Sequence, residues 1–183
     1  MEIIKTFIEG LVIIQPKVFQ DERGYFMESF KESFLKENFP DIHFIQENES
    51  KSSYGVLRGL HFQKPPFDQT KLLRVIHGEI QDVAVDIRRS SPTYGKHYSI
   101  KLSGINKKQL LIPKGFAHGF LTLSNYAIIS YKVDNSYSPS CESGIIYNDK
   151  KLGIDWEMKK KTDLIISDKD NKLLNFESLD LVT

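Results

Sequence analysis

Short apolar runs with period-two alternation, separated by turn residues, dominate the chain. Val, Ile, Leu and Phe crowd the segments Leu11–Phe19, Phe44–Glu49, Val56–Phe62, Leu72–His77, Ile80–Arg88, Tyr98–Leu102, Gln109–Ile112, Phe116–Leu123 and Ala127–Val133. Such runs read as strands. The breaks between them include Pro65-Pro66, His77-Gly78, Ser90-Ser91-Pro92 and Pro113-Lys114-Gly115. Two of these breaks are tight, which favours hairpins over helical crossovers. So many antiparallel strands in a short chain predict a mainly β fold, an antiparallel double-sheet jelly roll. One short N-terminal helix interrupts it. Ser29-x-x-Glu32 predicts a capping box, with Phe30, Phe34 and Leu35 on one face and Pro40 as a stop. A short C-terminal helix is expected around Lys172–Leu181, in a less periodic tail.

Composition narrows the class. No repeat, low-complexity linker or composition shift divides the sequence, so residues 1–183 read as one domain. A net charge of +1 gives no global field toward nucleic acid or membrane. The single cysteine, Cys141, has no internal disulfide partner, which suits a reducing compartment. Met1-Glu-Ile-Ile-Lys-Thr-Phe7 lacks the features of a secretory signal, and no run approaches the roughly 18 apolar residues of a membrane span. A cytoplasmic location is expected.

Several polar residues interrupt the apolar pattern. Gln46 and Asn48 share the strand face of Phe44, and His61 and Gln63 share another. Arg58 falls on the face opposite His61, with Gly59 between them. A bulge at Gly59 would turn both toward one cavity; equally, the glycine eases a crowded bend. His118 lies with Phe116 and Phe120, where a hydrogen-bonded core histidine is the ordinary reading. Tyr131 alternates with Ile129 and Val133, as a packed core tyrosine would. Asp82 and Asp86 share a face, either as a carboxylate pair or on a solvated sheet surface. The five histidines, at 43, 61, 77, 97 and 118, show no zinc-type spacing. No metal site and no cofactor are expected, and Gly-rich dinucleotide and phosphate loops are lacking.

Taken together, these positions resemble the dTDP-4-dehydrorhamnose 3,5-epimerase family, of the cupin jelly-roll class. The matching segments are Phe19-Gln-Asp-Glu-Arg-Gly-Tyr-Phe26, Gln46-Glu-Asn48, Leu57-Arg-Gly-Leu-His-Phe-Gln63, Lys71-Leu-Leu-Arg-Val75, Asp82-Val-Ala-Val-Asp-Ile-Arg88, Ser91-Pro-Thr-Tyr-Gly95, Ile112-Pro-Lys-Gly-Phe-Ala-His-Gly-Phe120, Tyr131-Lys132, Asn148-Asp149 and Leu152-Gly-Ile-Asp-Trp156. They follow the family's order over roughly residues 10 to 170. Thr70 and Lys96-His97 depart from the family's habit, and bear on loop shape rather than chemistry.

The resemblance implies a deoxythymidine-diphosphate (dTDP) 4-keto-6-deoxyhexose as substrate and inversion at C3 and C5. Both carbons flank the ketone, so loss of either proton gives an enolate. The family's roles fall on His61 as base, Asp170 as the carboxylate that sets its tautomer, Tyr131 as acid, and Lys71 as the cation near the C4 oxygen. Arg23, Arg58 and Lys169 resemble partners for diphosphate and sugar oxygens. Glu28, Gln46, Asn48, His118 and Glu142 resemble hydrogen-bonding ligand contacts, and Tyr137 a platform under the thymine ring. The segment holding Arg23 reaches a partner subunit's site in this family, so a homodimer is implied. Rival readings are a single-centre epimerase of a related sugar nucleotide, a non-enzymatic sugar-binding jelly roll, and a metal-dependent cupin.

Overall fold

The computed structural model describes residues 1–158, 160 and 163–179. Its strands are β1 (Glu2–Lys5), β2 (Val12–Gln15), β3 (Val18–Asp21), β4 (Gly24–Met27), β5 (Gln46–Ser53), β6 (Leu57–Gln63), β7 (Lys71–His77), β8 (Glu79–Asp86), β9 (His97–Ser103), β10 (Gln109–Ile112), β11 (Phe116–Thr122), β12 (Tyr126–Val133) and β13 (Glu142–Gly144). They form a six-stranded sheet, ordered β1-β2-β10-β7-β12-β5, and a five-stranded sheet, ordered β13-β6-β11-β8-β9. Every named pairing is antiparallel. This is the expected double-sheet jelly roll. Among the described residues no helix is long and apolar enough to cross a membrane.

The sheets face each other across a core built from inward-pointing residues of both. Ile13, Leu73, Val75, Leu110, Ile112 and Ile129 from one meet Ile80, Ala84, Leu102, Phe116 and Phe120 from the other. Fully burying a Val, Leu, Ile or Phe side chain stabilises a fold by about 1.5–3 kcal/mol relative to exposure. Both outer faces are also covered. Leu35 of the helix α1 (Glu32–Asn38) packs with Phe34, Phe39 and Phe44 over Val12, Ile14, Leu72 and Leu111. Ile145, Leu152 and Phe176 cover Leu60, Phe62, Val83 and Val85 behind the five-stranded sheet. Double coverage explains why β10 and β11 are buried at every position, the polar Gln109, His118 and Thr122 included.

Several local expectations are corrected. The predicted Leu11–Phe19 strand is split, because Pro16 offers no N–H to a ladder and separates β2 from β3. The Ser29–Glu32 capping box does not form: α1 is capped at Lys31 without a side-chain bond. Instead the Ser29 carbonyl accepts from Gln109 Nε2, and Phe30 packs edge-on against Phe44. Among the described residues no continuous helix follows Lys172; two 3₁₀ turns, Asp170–Lys172 and Phe176–Ser178, stand there, and residues 180–183, the end of the expected helix among them, lie outside the described residues. Their short form fits a tail held by Phe176 and Leu179 docking on the sheet.

β3 and β4 form a separate two-stranded hairpin, with Phe19, Tyr25 and Phe26 each more than half exposed. Four-residue strands carrying exposed aromatics give little alternation signal, so β4 and the edge strands β1 and β13 escape the sequence pattern.

Candidate active site

The inner face of the jelly roll changes from apolar to polar at one end. There β5 contributes Gln46 and Asn48, β6 His61 and Gln63, β7 Lys71 and β12 Tyr131, around a cavity of about 380 Å³ that Gln69, Tyr137 and Glu142 complete. A deeper recess of about 190 Å³ shares His61, Lys71 and Tyr131 and adds Arg58 and His118. Strand register sets these positions: Tyr131 pairs with Asn48 and Leu73, and Val133 with Gln46 and Lys71.

Gly59 brings Arg58 and His61 to the same cavity. On β11 one residue separates the partners of Arg58 and His61, whereas β6 has two between them, so β6 bulges outward by one residue. At φ +119°, a Cβ on Gly59 would lie 2.6 Å from Gly119 Cα and 2.7 Å from the His118 carbonyl oxygen. No side chain fits there, so both readings of this glycine hold: β6 bulges, and the glycine accommodates a crowded approach of β11.

His61 Nε2 lies 2.7 Å from Asp170 Oδ1. Asp170 is almost fully buried and also accepts a bond from the Gly59 N–H at 3.1 Å. An ionised carboxylate at Nε2 selects the tautomer protonated there, leaving the Nδ1 lone pair as the free base. Burial holds the imidazole below its ordinary pKa, outweighing the opposite pull of Asp170. His61 is therefore neutral, and able to take a proton, at neutral pH.

Lys71 enters from the facing sheet. Its ammonium makes no hydrogen bond or ion pair among the described residues, and enclosure pulls its pKa down to about 8, against the raising charges of Asp82 and Glu142. Tyr131 packs on the apolar core beside Ile129, yet its hydroxyl has no hydrogen-bond partner among the described residues. Burial raises the phenol's pKa, so it stays protonated. Packing accounts for the ring; it does not account for the hydroxyl.

The other expected residues divide. Gln46 Nε2 donates to Asn48 Oδ1 at 2.7 Å, pre-orienting two amides along the cavity wall. Arg58 Nε donates to Ser52 Oγ. Glu142 accepts from Lys169 at 2.6 Å and from the Tyr137 hydroxyl, contacts that outweigh burial and hold its carboxyl below the usual range. His118, 8% exposed, binds both oxygens of Asp82 at 2.9 and 3.0 Å, so the hydrogen-bonded core reading is met while the ring also lines the recess. Asp82 and Asp86 are neither a carboxylate pair nor a solvated face. Both are wholly buried, and Asp86 instead binds Arg88, Ser91 and Thr93. Arg23 and Glu28 do not reach this chain's cavity. Arg23 pairs with Asp21 at the hairpin tip and Glu28 with Lys31.

Gln63, Gln69 and Asp82 complete the setting and were not among the sequence candidates for the site. Gln63 shares its strand face with His61, a legible signal; Gln69 sits in a loop with none. Among the described residues no three His, Cys, Asp or Glu side chains converge to hold a metal.

The family model for dTDP-4-dehydrorhamnose 3,5-epimerase matches residues 5–178. The chain is 53% identical to the dTDP-4-dehydrorhamnose 3,5-epimerase of Methanothermobacter thermautotrophicus, over 91% of this chain and 90% of that one. It superposes on the epimerase of Elizabethkingia anophelis with a TM-score of 0.92 at 47% identity, covering 97% of both chains. A Legionella pneumophila 3,5-epimerase, solved in complex with dTDP-4-keto-L-rhamnose, gives a TM-score of 0.93 at 46% identity, covering 98% of this chain and 94% of that one. This chain belongs to the dTDP-4-dehydrorhamnose 3,5-epimerase family.

Proposed function

We propose that this chain inverts C3 and C5 of dTDP-4-dehydro-6-deoxy-D-glucose, giving dTDP-4-dehydro-L-rhamnose, by proton abstraction and return through an enolate. One observation carries the reading: His61 and Tyr131 project from facing sheets into one cavity, with Lys71 beside them. Inversion requires a proton to leave one face of the sugar ring and another to arrive on the opposite face, so two different groups must stand opposed.

His61 Nδ1 takes the proton α to the ketone, and the C–H electron pair moves onto the carbonyl oxygen. Lys71 stabilises the negative charge that develops there, an interaction far stronger in the transition state than in the ground state. The Tyr131 hydroxyl then gives its proton to the same carbon from the other side. The imidazolium and the phenolate exchange protons with solvent before the next turn. C3 and C5 both neighbour the ketone, so one site runs both steps. In this reading Arg58, Gln46, Asn48 and His118 hold the sugar and diphosphate, and Tyr137 underlies the thymine ring.

Proton NMR of the product formed in heavy water tests this reading. Deuterium at C3 and C5, with both centres inverted, is expected. One labelled and inverted centre would make the chain a single-centre epimerase, and a lack of exchange at both would remove the enzymatic reading.

The site also sets a pH profile. His61 must be neutral, so kcat/KM rises as pH climbs through a value below the ordinary imidazole range. Lys71 must be charged, so activity falls as pH rises through about 8. Lys71→Arg should push that alkaline limb upward, since guanidinium stays protonated. An unmoved limb would assign it to another group.

The uncovered β3–β4 hairpin supports a homodimer in which Arg23 reaches the partner's cavity. Phe19, Tyr25 and Phe26 are exposed apolar surface that a second copy would cover. Arg23→Ala is expected to raise KM more than it lowers kcat, as loss of uniform binding does. A large fall in kcat at unchanged KM would place Arg23 in the chemistry instead.

A further inference from the structure

We propose that Gln63 is a positioning residue that fixes the nucleobase platform, Tyr137, to the strand carrying the base. The inference rests on the reading of Tyr137 as the surface under the thymine ring. Gln63 ends β6, two residues after His61 and on the same strand face, and is 9% exposed. Its Oε1 accepts from the Ser138 N–H at 2.7 Å, and its Nε2 donates to the Ser136 carbonyl at 3.1 Å. Those two groups belong to the peptides on either side of Tyr137. The second Nε2 proton goes to the Phe67 carbonyl at 2.6 Å, in the loop between β6 and β7.

Tyr137 has little else to hold it. Its residue surface is 56% exposed, and its only side-chain hydrogen bond among the described residues goes to Glu142. The placement of its ring therefore follows from its backbone and from that one bond. Other ties of the 134–141 loop lead to the 64–70 loop: Thr70 N–H to Asp134, Gln69 to the Asn135 carbonyl, and Asn135 to the Pro66 carbonyl. Gln63 differs in tying both peptides of Tyr137 directly to β6. Together with the bond from Tyr137 to Glu142, whose strand β13 pairs with β6, this carboxamide sets the distance between the platform and His61, and with it how far the sugar reaches toward the base when the thymine is seated. Replacing it leaves three backbone groups without their partner, and a platform ring free to shift.

Four proteins test this: the wild type, Gln63→Met, Tyr137→Ala and the double variant. Calorimetric Kd for thymidine 5′-diphosphate and steady-state KM and kcat with the 4-keto sugar nucleotide are the readouts. Methionine nearly preserves shape and removes all three bonds. Gln63→Met is expected to weaken thymidine 5′-diphosphate binding and raise KM by about ten-fold or more, with kcat changed by less than about three-fold. The double variant should bind no more weakly than Tyr137→Ala alone, because the two residues act as one unit. Should the methionine variant fail to fold by circular dichroism, Gln63→Glu serves in its place. It keeps the acceptor for Ser138 and sets an oxygen against two carbonyls, so the same loss of binding is expected. Unchanged Kd in the folded variant, or penalties that add in full, would overturn the positioning role while leaving the platform intact. If Tyr137→Ala itself leaves Kd unchanged, the platform reading fails, and the role of Gln63 falls with it.

Discussion

His61→Asn is expected to abolish both epimerisation and the exchange of substrate hydrogens with solvent. Asparagine is polar and smaller, so the cavity wall survives, but no basic nitrogen remains. A general base contributes about 10²–10⁴-fold, and the loss should reach the upper part of that range because neighbouring groups are poor substitutes. Glu142 is engaged by Lys169 and Tyr137. Asp170 is buried behind the imidazole and bonded to the Gly59 N–H. His118 is the serious competitor, since it lines the same recess with a carboxylate at Nε2. It differs in depth: His118 is 8% exposed, whereas the His61 side chain is 32% exposed and borders both the outer cavity and the recess. The decay of the C3 and C5 proton signals in heavy water measures the effect. Exchange persisting at the wild-type rate in His61→Asn would transfer the base role to His118.

Much of this arrangement could be read in the sequence, for reasons particular residues make plain. The jelly roll is legible because its longer strands are short apolar-rich runs that end at turn residues such as His77-Gly78 and Pro113-Lys114-Gly115. Gln46, Asn48 and His61 stand out because period-two alternation puts polar atoms on faces where packing is expected, whereas alternation alone reads Tyr131 as a packed core residue and its role comes from the resemblance. The hairpin β3–β4 was not legible as an element: its aromatics are exposed and its strands are too short for periodicity to register. The capping box failed because Ser29 and Phe30 serve tertiary contacts, to Gln109 and Phe44, that no local pattern encodes. Asp82 and Asp86 misled for a similar reason. Their burial depends on His118, from a different strand, and on Arg88, Ser91 and Thr93, beyond the end of β8. The bulge at Gly59 depends on the register of β6 against β11, a long-range pairing that no local pattern encodes. The pairing of His61 with Asp170, 109 residues apart, came from the family resemblance alone.

Tyr131→Phe in heavy water tests the central claim, that base and acid work from opposite walls of one cavity. Phenylalanine keeps the ring against Ile129 and the apolar core and removes only a hydroxyl that bonds nothing among the described residues, so folding should be unaffected. His61 and Lys71 remain, and the enolate can still form. Without the opposed donor, the proton returns from His61 to the face it left. Deuterium should therefore enter at C3 or C5 at a substantial rate while inversion falls by about 10²-fold or more, the share a general acid contributes. Inversion of both centres at the wild-type rate would contradict the account, leave Tyr131 a packing residue, and require another donor on that wall.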